Sequence, residues 1–458
     1  MRKYIGSREF YHHVLMVALP IAIQQAITNL VGMLDNIMIG RVGTYAMSGV
    51  SIVNQLLFVF YLCIFGGMSG IGIFTAQFFG AGNVEGVRHT FRFKLLVSLL
   101  IVGVGIALFS LAGPWLISLY LTADETGLAA AEILSHGEGY LGVMLVGLVP
   151  FALKEAYADT LRECGETVVP MAAGIAAVFV NLVFNYILIF GKFGAPALGV
   201  VGAAIATVLS RFVEMLIVIL YTHTHAKKHP FIQGAFRSFR IPGHLVRQMI
   251  IRGFPLLVNE TLWAGGMAVL SACYSTLGVE VIPAQNIAST IANVFNISFI
   301  AMGSAIAIIL GQELGAGSPT VREDADKLTF LSIVICVVFG GLLALFSPIF
   351  PQIYNTEENV RSLATSLILL QGIFMPLYGF ANAEYFILRS GGKTFITFLF
   401  DSCYVWVISV PAAWLLVHFT SLPFLTVFIL VNLLDIVKCT IGFVMVKKGI
   451  WINNLTVS

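Results

Sequence analysis

The chain has 458 residues, 58% of them apolar and 10% charged, against roughly 25% charged in an average soluble protein. Too few charges remain to coat a soluble globule of this size, so lipid must solvate much of the surface. Net charge is only +2, with no basic cluster interleaved with aromatics, which excludes nucleic acid as a partner.

A bilayer core needs roughly 20 apolar residues per helix. The N-terminal "MRKYIGSREFYHH" is basic and amphipathic; no cleavable signal is expected there, and the span it leads into, 14–39, is expected to be retained as the first helix. That span carries Pro20 and Asp35. Spans at 48–79, 92–113 and 136–160 follow, the last with Lys154, Glu155 and Asp159 near its cytoplasmic end. The fifth span, 168–190, places Asn181 and Asn185 four apart, on one helix face. The sixth, 197–222, offers the small-residue stretch "GAAIATVLSR" for close helix contact, with the Thr207 hydroxyl inside it. Arg211 and Glu214, three apart in that span, are expected to neutralise each other.

The segment "HAKKHPFIQGAFRSFRIPGH" at 225–244 links this half to a second. There the spans are 246–276 with Glu260, 283–314, 327–350, 362–388 with Glu384, 394–418 with Asp401, and 422–446. Asp435 and Lys438 in the last repeat the three-residue spacing and are likewise expected to pair. The six cysteines are scattered through apolar runs without a CxxC pair, as core residues are; no metal site or disulfide is expected.

With the N-terminus inside, one face carries 19 Lys and Arg and the other only Arg41, Lys192 and Arg361. The outer loops lean acidic, as in "TADETG" at 122–127. Both termini are therefore expected in the cytoplasm, and the even span count agrees.

The chain also repeats itself. "AQFFGAG" at 76–82 returns as "GQELGAG" at 311–317, and the same offset carries Pro20 onto Pro255. "LRECGET" at 161–167 returns as "LRSGGKT" at 388–394. The expected fold is all-α and integral to the membrane. Its twelve transmembrane helices form two pseudo-symmetric six-helix bundles around a central cavity: 1–224, the linker 225–244, and 245–458. Such a duplication suits a carrier that opens one site to alternate sides.

An ionised Asp at mid-membrane costs about 2.5–3.5 kcal/mol by insertion scales, so each such residue needs a reason. Asp35 has no basic residue a helical turn away, and Arg41 is its nearest cation in sequence. It reads as a proton or cation site in a wet pocket. Glu260, five residues past Pro255 and flanked by Asn259 and Trp263, reads the same way; its repeat counterpart is Gln25. A membrane enzyme would need a converging set such as HExxH, paired Asp or Ser-Lys within spans, and none is seen. No GxxxxGK[ST] motif offers direct ATP drive.

Taken together, "LDNIMIGRVG", "AQFFGAG", "TLRECGETVVPM" and "NLVFNYILIFGKFGAPALGVVGAAIATVLSR", in this order and over essentially the whole chain, resemble the multidrug and toxic compound extrusion (MATE) family. The terminal "KKGIWINNLT" is similar to that of many bacterial members. The resemblance implies two six-helix bundles around a V-shaped cavity. It implies export of lipophilic or cationic organic compounds in exchange for H⁺ or Na⁺ by alternating access. By the same resemblance Asp35 is the coupling acid, with Asn181, Asn185 and Thr207 as its neutral companions. Some members place an Asp where Asn185 stands, so this site holds one carboxylate. Glu260 matches an acid of the sodium-coupled branch, but that branch's tenth-helix Asp falls here on Tyr378, with Asn382 one turn on. The second C-terminal carboxylate is thus expected to be missing. The substrate cavity is expected to include Asp35, Glu260, Tyr378 and Asn382. No catalytic residue and no cofactor are implied beyond the transported ion. The expected partners are small organic substrates and the bilayer, and a monomer in the cell membrane is expected. The alternative is a lipid-linked oligosaccharide flippase of the same superfamily; a channel and a membrane enzyme are the remaining rivals.

Overall fold

The computed structural model describes residues 4–121 and 127–457; most of the acidic "TADETG" loop lies outside them. The described residues form helices and turns without a strand. Eleven helices are long and apolar enough to cross a membrane, and one bent pair completes twelve. In chain order they are α1 (Arg8–Gly40), α2 (Thr44–Gly80), α3 (Val84–Ser118), α4 (Leu128–Val146 and Leu148–Glu163), α5 (Val168–Phe190), α6 (Gly199–Thr224), α7 (Gly243–Ser275), α8 (Val281–Ala316), α9 (Val321–Phe346), α10 (Glu358–Ser390), α11 (Thr394–Phe419) and α12 (Phe424–Lys447).

The spans are held in lipid by composition. On α3, Leu100, Val104, Leu108, Leu111 and Trp115 form an exposed apolar stripe, while Val102, Phe109 and Ile117 are buried. Only hydrocarbon accommodates such an outer face at no cost.

The polar ends of the helices were not legible as helix. α3 begins at Val84 and not near residue 92, and Arg92 and Lys94 within it are buried. Lys94 pairs with Glu163 and lies 3.4 Å from Thr160 Oγ1. The guanidinium of Arg92 donates to Ala235 O (2.7 Å) and Gly234 O (2.9 Å), docking the linker segment onto α3. The fourth span, expected as one run, bends by 45° at Gly147. Pro150, in the first turn of its second segment, cannot donate back to Val146, so the ladder breaks there.

The described residues fall into two compact units. One takes the described parts of Met1–Ala22, Ala76–Asn83 and Met249–Ser458; the other takes Ile23–Thr75 and Val84–Gln248. α1 changes membership at Ile23, three residues after Pro20 interrupts its hydrogen-bond ladder.

Within the first unit the repeated motif meets its own copy. A Cβ on Gly80 would sit 1.9 Å from Gln312 O, and one on Gly315 would sit 1.8 Å from Gln77 O. These are equivalent positions of the two copies, so the ends of α2 and α8 cross reciprocally, backbone against backbone, and only glycine allows it. Both helices then end alike. Gly82 (φ 69°) and Gly317 (φ 67°) take the left-handed conformation. Asn83 N donates to Phe78 O, and Ser318 N to Glu313 O, each at 2.9 Å. This is the Schellman ending that a glycine at C′ favours.

The chain's last segment closes over this crossing. Trp451 is fully buried. Gln77 Nε2 donates to Ser390 O (2.9 Å) and Asn453 O (3.2 Å), and its Oε1 accepts from Leu455 N (2.7 Å). Asn454 Nδ2 donates to Gly315 O at 3.4 Å. Gln77→Leu keeps the volume but removes all three bonds. We expect a loss of about 1–3 kcal/mol and faster trimming of the C-terminal residues by carboxypeptidase; unchanged trimming would show that the tail is held by Trp451 alone.

Candidate ion and substrate site

The second unit gathers four sequence-predicted residues from three helices. Asn181 and Asn185 lie on the buried stripe of α5 that runs Pro170, Ala173, Ala177, Asn181, Asn185, Ile189. α6 approaches α5 closely because Gly202 faces Leu188 O, where a Cβ would stand 2.6 Å away. That approach brings Thr207 onto Asn181, whose Nδ2 donates to Thr207 Oγ1 at 3.2 Å. Asn185 Nδ2 donates to Asn181 Oδ1 (3.0 Å) and to Asp35 Oδ1 (2.5 Å). The result is one continuous hydrogen-bonded line, Asp35–Asn185–Asn181–Thr207. Asn185 is completely buried, and its Oδ1 has no hydrogen-bond partner. Among the described residues no cation forms an ion pair with Asp35.

The expected self-neutralising pair Arg211–Glu214 is not made. Glu214 instead lies 3.4 Å from Lys154, which also pairs with Glu155. Arg162 joins this cluster through Asp159 (2.7 Å) and Glu155 (3.7 Å), and donates to Gln24 Oε1 at 2.8 Å. Arg211 turns the other way. It donates to Tyr61 Oη and to Gly147 O, and stacks on Tyr61 and Phe151. Its guanidinium so serves the carbonyl at the bend of α4. Neighbour helices outbid the local i,i+3 geometry because a full guanidinium shell needs more acceptors than one turn offers.

In the first unit Glu260 Oε1 accepts from Tyr385 Oη at 3.5 Å. Asn259 Nδ2 lies 3.3 Å from the same hydroxyl and 3.1 Å from Asp401 Oδ2. Two expectations are corrected here. A second carboxylate does join this group, supplied by Asp401 of α11 and not by α10. Lys438 pairs with Asp401 (2.8 Å) and not with Asp435. Tyr378 bonds Asn432 Oδ1 at 2.5 Å, and Asn382 Oδ1 faces Gly303 without a hydrogen-bond partner, so neither is in the polar chain that holds Glu260. Tyr385 carried no sequence signal of its own; it lies two turns past Tyr378, beside Glu384, which drew the attention there.

A family model described as MatE matches residues 20–187 and 255–415. A protein described as probable multidrug resistance protein NorM, from Thermotoga maritima, is 26% identical over 449 residues, covering 97% of this chain and 93% of its own. One of the same description from Oceanobacillus iheyensis is 27% identical over 431 residues, covering 90% of each. A solved structure described as the outward-facing conformation of a multidrug resistance MATE family transporter of the MOP superfamily superposes with a TM-score of 0.85 at 20% identity, covering 96% of this chain and 95% of that one. That likeness concerns the fold alone.

Proposed function

Because the chain belongs to the MatE family, we propose that it is a secondary active exporter of lipophilic or cationic organic compounds, driven by inward exchange of H⁺ or Na⁺ through alternating access. The observation that carries this reading is the Asp35 line: a carboxylate on buried amides, with no paired cation among the described residues. A negative charge in that setting can be loaded and unloaded. Loading removes the free charge and weakens the hold on a cationic substrate; unloading restores it. The proton is the favoured coupling ion. Asn185 points a donor at Asp35 Oδ1, leaving the second carboxylate oxygen to take a proton without rearrangement. Sodium would need oxygen ligands, and the amide would have to turn to present Oδ1.

Glu260, Tyr378 and Asn382 are proposed to contact substrate in the other unit. The excess of Lys and Arg on one face supports a cell-membrane protein with both termini in the cytoplasm. The relatives named multidrug resistance proteins favour drug export over lipid-linked oligosaccharide flipping.

The test uses inside-out vesicles holding the purified protein and a fluorescent lipophilic cation. An imposed proton gradient is expected to drive uptake, and a sodium gradient to leave it at the passive level. Uptake driven by sodium alone would reverse the choice of ion. Uptake driven by neither would remove the exporter reading and bring the flippase forward.

A further inference from the structure

We propose that Lys438 is a tethered cation filling an acidic site in the first unit, and that a monovalent cation takes its place once the lysine charge is removed. The inference deepens the exporter reading, but its test is binding, not transport.

The site is built by a break in helical register. α11 runs as π-helix over Leu399–Cys403 and again over Val405–Ser409. Such segments are rare and interrupt the regular i,i+4 ladder, often at functional positions. Here the wide turn sets two consecutive residues on one partner, Asn259 of α7. Ser402 Oγ donates to Asn259 O, and Ser402 N lies 3.3 Å from Asn259 Oδ1. Asp401 Oδ2 accepts from Asn259 Nδ2. In a regular α-helix neighbouring side chains diverge by about 100° and would not share one residue.

The other oxygen of Asp401 holds Lys438 at 2.8 Å. Both side chains are mostly enclosed, 18% and 12% exposed. The ammonium also lies over the rings of Phe400 (5.3 Å) and Tyr404 (5.8 Å). A carboxylate, an amide and two aromatic faces make up the surroundings that would suit a free monovalent cation. Tyr385 and Asn259 connect this group to Glu260, and Asp435 stands one turn before Lys438 on α12. Lys438 is the cation that pairs with Asp401. The two acidic sites of the chain thus differ. Asp35 is hydrogen-bonded by the neutral Asn185; Asp401 is already compensated from within. Taking away the lysine charge strands a buried carboxylate, which is unfavourable until a cation or a proton arrives.

The experiment compares the purified full chain in detergent, at alkaline pH, with Lys438→Gln, Lys438→Arg and Asp401→Asn/Lys438→Gln. Binding is read in two arms, radioactive sodium and tetraphenylphosphonium. Lys438→Gln is expected to bind one more cation per chain than the wild type. Lys438→Arg and the double variant are expected to match the wild type. A gain in the sodium arm identifies an alkali-ion site, and a gain in the other arm identifies an organic-cation site. No gain in either arm, or a gain that survives in the double variant, overturns the proposal. Asp401→Asn alone gives a second reading that does not depend on the stability of Lys438→Gln: because Asp401 is occupied by Lys438, wild-type cation binding should be unchanged, and a loss would also overturn it. Failure of the exporter reading would appear in vesicle uptake, which none of these measurements uses.

Discussion

Asp35→Asn is expected to abolish gradient-driven uptake in vesicles while leaving the protein folded and able to bind a lipophilic cation. Coupling requires that ion and substrate each change the other's affinity by the same factor, typically about 5–150-fold. In the wild type, acidification should therefore weaken tetraphenylphosphonium binding within that range. An amide at position 35 has no proton to gain or lose, so the dependence should vanish. The substitution is nearly isosteric, and position 35 keeps an oxygen for the Asn185 donor now bonded at 2.5 Å. Stability is thus expected to change little, which separates loss of coupling from loss of fold. A variant that retained pH-dependent binding would move the coupling site elsewhere, and Glu260 would be the next acid to substitute.

Gly80→Val and Gly315→Val are expected to cost more than any other single glycine replacement in the spans. Each Cβ would lie within 2 Å of a backbone carbonyl, at Gln312 and Gln77 respectively, and a backbone cannot move aside as a side chain tip does. Overpacking of this kind typically costs about 1–3 kcal/mol and sometimes more. The two sites serve one crossing, so the double variant should cost less than the sum of the singles. Thermal melting in detergent provides the measurement. Gly103→Ala is the control: nothing stands within 4 Å of its Cβ, and alanine favours helix by about 1 kcal/mol. If Gly315→Val melted with the control, the close crossing of α2 and α8 would be wrong.

The spans and the repeat were legible because lipid imposes a simple rule on sequence, and the repeated "GAG" endings carry helix termination and close approach in the same residues. The Asp35 line was legible in parts. Asn181 and Asn185 declared a shared face by their spacing, but their connection to Asp35 and Thr207, on other helices, came from family resemblance. What the sequence hid were partnerships that skip helices. Arg211 next to Glu214, and Asp435 next to Lys438, looked self-sufficient because spacing rules see only one helix at a time. In the structure Glu214 turns to Lys154 and Lys438 to Asp401. Asp401 was the hardest to place, since the π-helical stretch around it has no periodic signature among apolar residues. Lys94 shows the same limit, since its partner Glu163 lies on another helix, 69 residues away.

The bonds of Gln77 also bear on how the protein is made. Its partners Ser390, Asn453 and Leu455 lie 313, 376 and 378 residues further along. At a synthesis rate of about 5–20 residues per second, the finished end of α2 waits roughly 20–75 s for the last of them. Every span can enter the bilayer during that interval, yet the seam at the end of α2 is not fully stitched until Asn453 and Leu455 have left the ribosome. A nascent chain stopped just short of Trp451 would hold all twelve spans with Gln77 bonded to Ser390 O but not yet to Asn453 O or Leu455 N. The arrival of Asn453 and Leu455 is thereby written into the folded surface at the end of α2.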